Sequence, residues 1–350
     1  MSLSVSPCFD PTDWDAAVNR LDGHPQQLWG WAETKAAHGW SVDRVLLADD
    51  DDDGAVVAAV QIVLKSLPVP LRSLAYIPRG PATTEGREAE VLQVVADYVR
   101  TAHRSIAVSI EPDWDAESDA ARALPDAGWR QSSNTILIGH TLILDLTLSE
   151  DELLAGMSKK HRQYIRKSGR EGLDIRRVEQ SEIAQCLRVY HETAERAGFG
   201  IHRDSYYLDI FHNLGDASPV YAAFQGKDIV AFLWLSASEH TAFELYGGMT
   251  EEGERLRANY ALKWLAIQEM KARGVVRYDF NGLLNDGVSR FKMGWAQHEN
   301  ELAGTWDLPL SRLYAVFSRT LPLAKRSMQS ARRQAGRAAG VIRQRRGGRS

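Results

Sequence analysis

The sequence predicts a mixed α/β protein that contains two tandem copies of one unit, followed by a basic helical tail. Strand and helix patterns recur in the same order in both halves of the 350-residue chain, and basic residues are concentrated at its end. Apolar residues make up 44% and charged residues 25% of the chain, so we exclude a fibrous or wholly disordered protein.

The first copy is predicted to contain a helix, three antiparallel strands, a second helix and a last strand. Apolar runs and alternation indicate these elements, and five consecutive aspartates mark a hairpin loop between the first two strands. The predicted elements are helix Trp29–His38, strands Val42–Ala48, Ala55–Leu67 and Leu74–Ile77, helix Glu88–Thr101 and strand Ser105–Ile110.

The second copy is predicted to repeat this order. Its elements are helix Glu182–Arg196, strands Val220–Phe224, Ile229–Ser236 and Ala242–Gly247, helix Leu256–Arg273 and strand Val275–Phe280. Tyr76 precedes Ile110 by 34 residues, and Tyr246 precedes Phe280 by the same number. We therefore expect two acyltransferase-type domains of mixed α/β architecture.

The domain boundary is predicted near Ser149, because the acidic residues after it suit the first turn of a helix. Residues 1–148 then form the first domain, 149–308 the second, and 309–350 a helical region that ends in the basic tail.

The tail from residue 319 to 350 contains ten basic residues and no acidic one. Apolar residues recur there at spacings of three and four, which predicts a helix with a shallow apolar stripe. Such a helix suits reversible attachment to an anionic membrane. Binding of the tRNA backbone and a solvated tail are the other interpretations.

Localisation and metal binding are constrained by what the sequence lacks. It has no run of about 18 uncharged apolar residues and no signal-peptide pattern at its start, so we expect a cytoplasmic protein, with peripheral association at the inner face of the cell membrane through residues 319–350. Cys8 and Cys186 are far apart, and the histidines have no zinc-site spacing, so no metal site is predicted.

A basic segment, Ser158–Arg170, opens the second copy. Lys159, Arg162 and Arg166 are spaced three and four apart, so they share one face of a predicted helix. Two interpretations stay open: a solvated surface helix, or contact with phosphates such as those of tRNA.

Two further segments contain candidate binding residues. Ala197–Tyr207 combines a glycine-rich turn with Arg203 and Tyr207, which suits an anionic ligand but also an ordinary surface loop. Lys292 follows Phe291 after a loop rich in Asn and Gly, which suits a fixed positive charge in a cleft but also a lysine that lies along apolar surface.

Coenzyme A is disfavoured as a ligand. Acyltransferases that use it commonly bind its pyrophosphate through a glycine-containing loop before the helix that follows the central strand. The segment Arg255–Tyr260 contains no glycine at that place. No cofactor is therefore predicted.

Taken in order, these segments resemble the Fem family (FemABX) of peptidyl transferases, which build the side bridge of peptidoglycan. The resemblance covers most of residues 1–310. It rests on Gln27–Lys35, Ile77–Pro81, Lys159–Gly169, Gly198–Tyr207, Tyr278–Gly282 and Phe291–Gly294. It implies two GNAT-like domains and an amino acid taken from aminoacyl-tRNA.

The resemblance also implies roles for individual residues. Lys35 and Arg203 would hold the diphosphate of a muropeptide precursor, with Tyr207 preferred over Tyr206 as the accompanying tyrosine, and Lys292 would act near the tRNA acceptor end. We add Tyr246, Asn259 and Phe291 as substrate-binding residues and Lys159, Arg162 and Arg166 as tRNA-binding residues. The resemblance does not name the general base: Asp279 is one candidate, and a group of the substrate itself is the alternative.

The implied reaction is transfer of an amino acid from aminoacyl-tRNA to the side-chain amine of the third residue of a peptidoglycan stem peptide. Its partners would be aminoacyl-tRNA and a UDP-linked or lipid-linked muropeptide precursor. The alternatives are a coenzyme A-dependent N-acyltransferase on the same fold, and a non-catalytic protein that binds RNA or the envelope surface.

Overall fold

The structure is a computed structural model that describes residues 3–132, 134–284 and 287–319. Two mixed sheets form its centre, and helices cover their faces. The first sheet contains β1 (Leu3–Pro7), β2 (Ser41–Asp49), β3 (Ala55–Ser66), β4 (Ser73–Pro78), β5 (Ala82–Thr83), β6 (Ala107–Glu111), β7 (Arg130–Gln131) and β16 (Trp306–Pro309).

The second sheet contains β9 (Ile143–Asp145), β10 (Asp174–Arg177), β11 (Val220–Gln225), β12 (Asp228–Ala237), β13 (Thr241–Met249) and β14 (Arg277–Asp279). A short ribbon pairs β8 (His140–Thr141) with β15 (Asn300–Glu301).

The helices alternate with these strands along the chain. They are α1 (Pro11–Arg20), α2 (Trp29–Ala37), α3 (Glu88–Ala102), α4 (Asp119–Ala123), α5 (Glu150–Gly156), α6 (Lys159–Ser168), α7 (Ile183–Ala197), α8 (Asp204–Leu214), α9 (Glu251–Arg255), α10 (Ala258–Ala272) and α11 (Gly287–Lys292). Residues 314–319 are also helical.

The repeated layout predicted from the sequence is confirmed. In the first sheet β2, β3 and β4 are antiparallel neighbours, and β6 returns after α3 to pair parallel with β4. In the second sheet β11, β12 and β13 are antiparallel neighbours, and β14 returns after α10 to pair parallel with β13. Each copy thus has the antiparallel–helix–parallel order of one acyltransferase-type unit.

One predicted helix starts later than its apolar pattern suggests. The sequence predicts a helix from Leu256, whereas α10 begins at Ala258, after a separate short helix, α9. Arg257 between them has a φ of 55°, in the left-handed region, which an α-helix of L-residues does not continue through. The break positions Asn259 in the first turn of α10.

The chain crosses between the two sheets more than once. β9 precedes the predicted boundary at 148 but pairs with β14 of the second sheet. β16 crosses the predicted boundary at 308 and pairs with β6 of the first sheet. The predicted boundaries therefore do not coincide with the limits of the two sheets. The division into three segments stays a prediction.

The boundary helix α5 begins as its sequence predicts. The Ser149 hydroxyl accepts a hydrogen bond from the Glu152 backbone N–H, and the Glu152 carboxylate accepts one from the Ser149 backbone N–H. This capping box satisfies two donors that a helix N-terminus leaves without partners.

Candidate active site

A cavity of about 370 Å³ opens where β13 and β14 separate. The two strands pair only from Thr241 to Phe243 on the β13 side, and β13 then continues alone on that edge to Met249. The register against β12 shifts at Leu245, which forms a bulge. This geometry leaves an opening between two parallel strands.

Four predicted site residues line the cavity, together with Asn281 from the segment Tyr278–Gly282. Tyr246 lies on β13, Asn259 on α10, and Phe291 and Lys292 on α11, and Asn281 follows β14. Tyr246, Asn259, Phe291 and Lys292 were predicted as site residues, so the fold collects them around one volume although they span 47 positions of the sequence.

A buried ion pair lies in the same cavity wall. Nζ of Lys263 is 2.5 Å from Oε1 of Glu244, and the Tyr278 hydroxyl donates to the same oxygen at 2.9 Å. Lys263 is 5% and Glu244 6% exposed. The pKa of Lys263 is lowered to about 8, mainly by burial; Glu244 opposes this shift and nearby Lys292 contributes to it.

The sequence analysis missed this pair. Glu244 is the only acidic residue in the predicted strand Ala242–Gly247, and Lys263 is a basic residue in the mainly apolar stretch between Tyr260 and Ile267. A charged side chain in a buried apolar segment is costly unless it is paired, so each was a detectable signal of a functional or paired position.

Lys292 is held at the end of α11 by backbone oxygens. Its Nζ donates to the carbonyl oxygens of Asn281 at 2.8 Å and Gly282 at 3.0 Å. The Asn281 side-chain amide in turn donates to the backbone oxygen of Glu244 at 2.7 Å. Asn281 has a φ of 54°, a conformation that asparagine adopts more readily than most residues. Lys292 and Glu244 are thus linked through one loop residue.

The basic helix α6 supports the segment that contains Lys292. Nε2 of His161 donates to the carbonyl oxygen of Phe291 at 2.8 Å, and the Ser158 backbone N–H donates to the carbonyl oxygen of Gly294 at 3.0 Å. A Cβ at Gly294 would lie 1.8 Å from the His161 ring, so only glycine allows this approach. The predicted phosphate-binding helix and Lys292 therefore belong to one packed unit.

A second region connects to the cavity through tyrosine hydroxyls. Nζ of Lys35 on α2 donates to the Tyr206 hydroxyl on α8 at 2.6 Å and lies 4.7 Å from the centre of the Trp31 ring. The Tyr206 and Tyr246 rings both pack against Tyr207, at 5.8 and 4.9 Å, each hydroxyl affects the pKa of the other, and Tyr246 lines the cavity. Burial lowers the pKa of Lys35 to about 8. A polar path thus runs from Lys35 to the cavity.

Arg203 and Tyr207 occupy different environments. Arg203 is exposed at the N-terminal end of α8, and no acidic side chain pairs with it among the described residues. Tyr207 is 1% exposed, its hydroxyl accepts from the His202 backbone N–H at 2.9 Å, and its ring packs 4.9 Å from that of Tyr246. Tyr206, rather than the preferred Tyr207, therefore contacts Lys35.

The three predicted tRNA-binding residues separate into two groups. Lys159 and Arg166 are exposed on α6. Arg162 is half-buried, and its guanidinium donates to the carbonyl oxygens of Leu154, Ala155 and Met157 at the end of α5. The structure thus engages Arg162 in capping a neighbouring helix.

Asp279 lies outside the lining of the cavity. It is fully buried and accepts hydrogen bonds from the Thr141 hydroxyl at 2.6 Å and the Asn281 backbone N–H at 2.8 Å. Burial raises its pKa. These contacts make Asp279 an anchor for the loop after β14, and they do not favour it as the base for a reaction in the cavity.

Within the described ranges, one cluster has the composition of a metal site. Atoms of His24, Asp113 and Asp279 lie within 4.8 Å of one another between the two sheets. Arg277 forms an ion pair with Asp113, and Arg79 lies close enough to lower the Asp279 pKa. These two arginines balance the two carboxylates, so the cluster suits a polar junction between sheets better than a cation site.

Comparisons with known proteins agree with this architecture. The FemAB family model matches residues 17–225 and 225–322. The lipid II:glycine glycyltransferase of Staphylococcus aureus (strain USA300) is 22% identical, over 86% of this chain and 93% of that protein. The crystal structure of FemX matches with a TM-score of 0.80 at 20% identity, over 91% of this chain and 100% of that one.

A tandem GNAT protein from the clavulanic acid biosynthesis pathway also matches, with a TM-score of 0.53 at 12% identity, over 89% of this chain and 99% of that one. The predicted fold of two GNAT-like units is therefore confirmed. None of the described helices is long and apolar enough to cross a membrane. Because the family model covers most of the sequence, the chain belongs to the FemAB family and is an aminoacyltransferase.

Proposed function

We propose that this enzyme transfers an amino acid from aminoacyl-tRNA to the side-chain amine of the third residue of a peptidoglycan stem peptide. The name of the Staphylococcus aureus relative, lipid II:glycine glycyltransferase, supports a lipid-linked muropeptide acceptor and an aminoacyl donor. The missing glycine loop before α10 supports a donor other than coenzyme A.

The observation that carries this proposal is the polar path from Lys35 to the cavity. Lys35 and Arg203 provide positive charge at the end of α2 and the start of α8, which suits the diphosphate of a muropeptide precursor. Tyr206 and Tyr246 lead from Lys35 to the cavity that contains Lys292. An acceptor anchored by its diphosphate would extend its peptide along this path.

The reaction requires an amine nitrogen to attack the ester carbonyl of the aminoacyl group. A C–N bond forms, the C–O bond to the ribose breaks, and negative charge develops first on the carbonyl oxygen and then on the ribose oxygen. Lys292, fixed by two backbone carbonyls, supplies a preorganised positive charge for these oxygens. Holding both substrates in one cavity also removes the entropic cost of their encounter.

The exposed charges of α6 suit the donor. Lys159 and Arg166 are exposed on the helix that supports Phe291 and Lys292 through His161. Phosphates bound along α6 would therefore lie beside the segment that faces the ester. This arrangement supports delivery of the tRNA acceptor end from the α6 side and of the muropeptide from the Lys35 side.

A mass-shift assay tests the proposed function. The enzyme is incubated with a mixture of charged tRNAs and either a UDP-linked or a lipid-linked muropeptide, and the acceptor is weighed. The proposal predicts an acceptor heavier by one or more aminoacyl residues, and only when charged tRNA is present. An unchanged acceptor in every mixture would contradict it.

The likeness to a tandem GNAT protein favours a second candidate, a coenzyme A-dependent N-acyltransferase. A thermal-shift comparison separates the two functions. Stabilisation by UDP-MurNAc-pentapeptide and not by acetyl-coenzyme A supports the first proposal, and the reverse supports the second.

A further inference from the structure

The reaction proposed above needs a group that accepts a proton, and Asp279 does not line the cavity. A lysine-type amine is mostly protonated at pH 7, and after its attack the nitrogen still holds a proton that must leave. Among the described residues lining the cavity, Glu244 has the only carboxylate, and none is a histidine. The other ionisable groups there are Arg196, Tyr246, Lys263 and Lys292.

The hydrogen bonds of Glu244 leave one oxygen available. Lys263 and Tyr278 both donate to Oε1. Oε2 has no hydrogen-bond partner within the part of the chain that the structure describes. Two donors on one oxygen fix the orientation of the carboxylate, so Oε2 is preorganised as an acceptor.

The surroundings of Glu244 also suit proton transfer. Lys263 reaches it from α10, Tyr278 from β14 and Asn281 from the loop that binds Lys292, and Tyr246 lies on its own strand. Phe280 and Phe291 line the cavity around the Lys263 ammonium, 4.6 and 5.4 Å from it. Apolar walls strengthen each of these interactions, because they exclude water.

We propose that Glu244 is the catalytic base, whose Oε2 takes the proton of the attacking amine. The step rests on the proposed function and balances within it. The neutral amine, formed when the ammonium loses one proton to solvent, bonds through its nitrogen to the carbonyl carbon and gives a second proton to Oε2. The C–O bond to the ribose breaks, and the ribose oxygen takes that second proton from Oε2. Between these two proton transfers, Lys292 stabilises the negative charge on the carbonyl oxygen and then on the ribose oxygen.

The test compares Glu244→Gln and Glu244→Ala with the wild type in the mass-shift assay. Glutamine keeps an oxygen acceptor for Lys263 and Tyr278 but removes the base, so we expect kcat to fall by about a hundredfold or more with little change in KM. Glu254→Gln, which changes an exposed glutamate on α9, is the matched control and should keep wild-type activity.

Chemical rescue distinguishes a base from a structural carboxylate. Formate should restore the turnover of Glu244→Ala at least tenfold, in proportion to its concentration, whereas sodium chloride at equal ionic strength should not. If Glu244→Gln retains turnover within threefold of the wild type, or if Glu244→Ala is folded but formate does not rescue it, the assignment is overturned. A wild-type enzyme that transfers nothing overturns the proposed function, and the assignment with it.

Discussion

Single side chains in this protein are tuned by burial more than by exposed charge pairs. The pKa values of Lys35 and Lys263 are both lowered because burial withdraws the two ammonium groups from water. Each ammonium contacts one polar partner and aromatic rings. A buried ammonium is costly, so its retention at both ends of the polar path fits a role in binding or chemistry.

The pKa of Lys35 predicts how muropeptide binding depends on pH. The ammonium form binds a diphosphate, and this form is lost as the pH rises through about 8. We therefore expect the affinity for UDP-MurNAc-pentapeptide to fall up to about tenfold between pH 7 and pH 9, measured by calorimetry. Lys35→Arg should remove this fall, because arginine stays charged.

A variant of Arg203, the second positive charge proposed to bind the diphosphate, provides the control. Arg203→Ala should weaken binding at every pH but keep the fall between pH 7 and 9, since Lys35 is still present. An affinity of the wild-type protein that is constant across this range would show that Lys35 does not contact the diphosphate.

Four of the residues named from the sequence line the cavity, but the sequence did not reveal the buried ion pair beside them. Lys292, Phe291, Tyr246 and Asn259 were identified from segments at strand ends and helix starts, where ligands commonly bind. Glu244 could not be assigned to the cavity without knowing which face of β13 borders the opening. A bulge at Leu245 changes the alternation of side chains there. Periodicity alone does not predict bulges.

At the scale of elements, α6 combines two functions that its sequence presents as one. The segment Ser158–Arg170 contains six basic residues and no acidic one, which suggested either a solvated surface helix or contact with phosphates. Arg162 instead caps α5, His161 holds the Lys292 segment, and Lys159 and Arg166 face solvent. Helical spacing predicted a shared face, but it did not reveal that α5 ends beside the middle of it.

Substitutions along α6 should separate these roles. Arg162→Met should lower the free energy of unfolding by about 1 to 2 kcal/mol, because three carbonyl oxygens lose a charged donor. Lys159→Gln and Arg166→Gln should leave stability unchanged and weaken tRNA binding. Each should lower the salt dependence of log K by roughly 0.7 to 0.9.

Chemical denaturation and salt-dependent filter binding measure the two effects. If Arg162→Met weakens tRNA binding without loss of stability, the capping role is wrong. If neither exposed substitution affects tRNA, α6 does not bind the donor.

At the scale of the whole molecule, the duplicated order of elements was predictable and the exchange of strands was not. Each copy is recognisable because its apolar runs are local in sequence. β9 and β16 are short, and their partners β14 and β6 lie far away in the chain, so no local pattern indicates which sheet they join. Each of these strands joins a sheet other than the one that its place in the sequence suggests.

The basic tail beyond residue 319 lies outside the described residues, and its role is a prediction from sequence. About 1 kcal/mol per basic residue near an anionic surface favours membrane attachment. Deleting residues 325–350 should abolish salt-sensitive binding to vesicles that contain anionic lipid. It should also lower activity on a lipid-linked acceptor more than on a UDP-linked one.

The two acceptors distinguish the interpretations of the tail. An equal loss of activity on both would indicate tRNA binding by the tail arginines. No loss on either would mean that the tail is dispensable for this reaction.

The central claim is that amino-acid transfer to the stem peptide occurs in the cavity beside Lys292. Its most direct test is fragmentation mass spectrometry of the acceptor after reaction with charged tRNA, for the wild type and for folded Lys292→Met. We predict an added aminoacyl residue on the side-chain nitrogen of the third stem residue, formed about a hundredfold or more slowly by the variant. Addition at another position, or equal rates for the two proteins, would contradict this account.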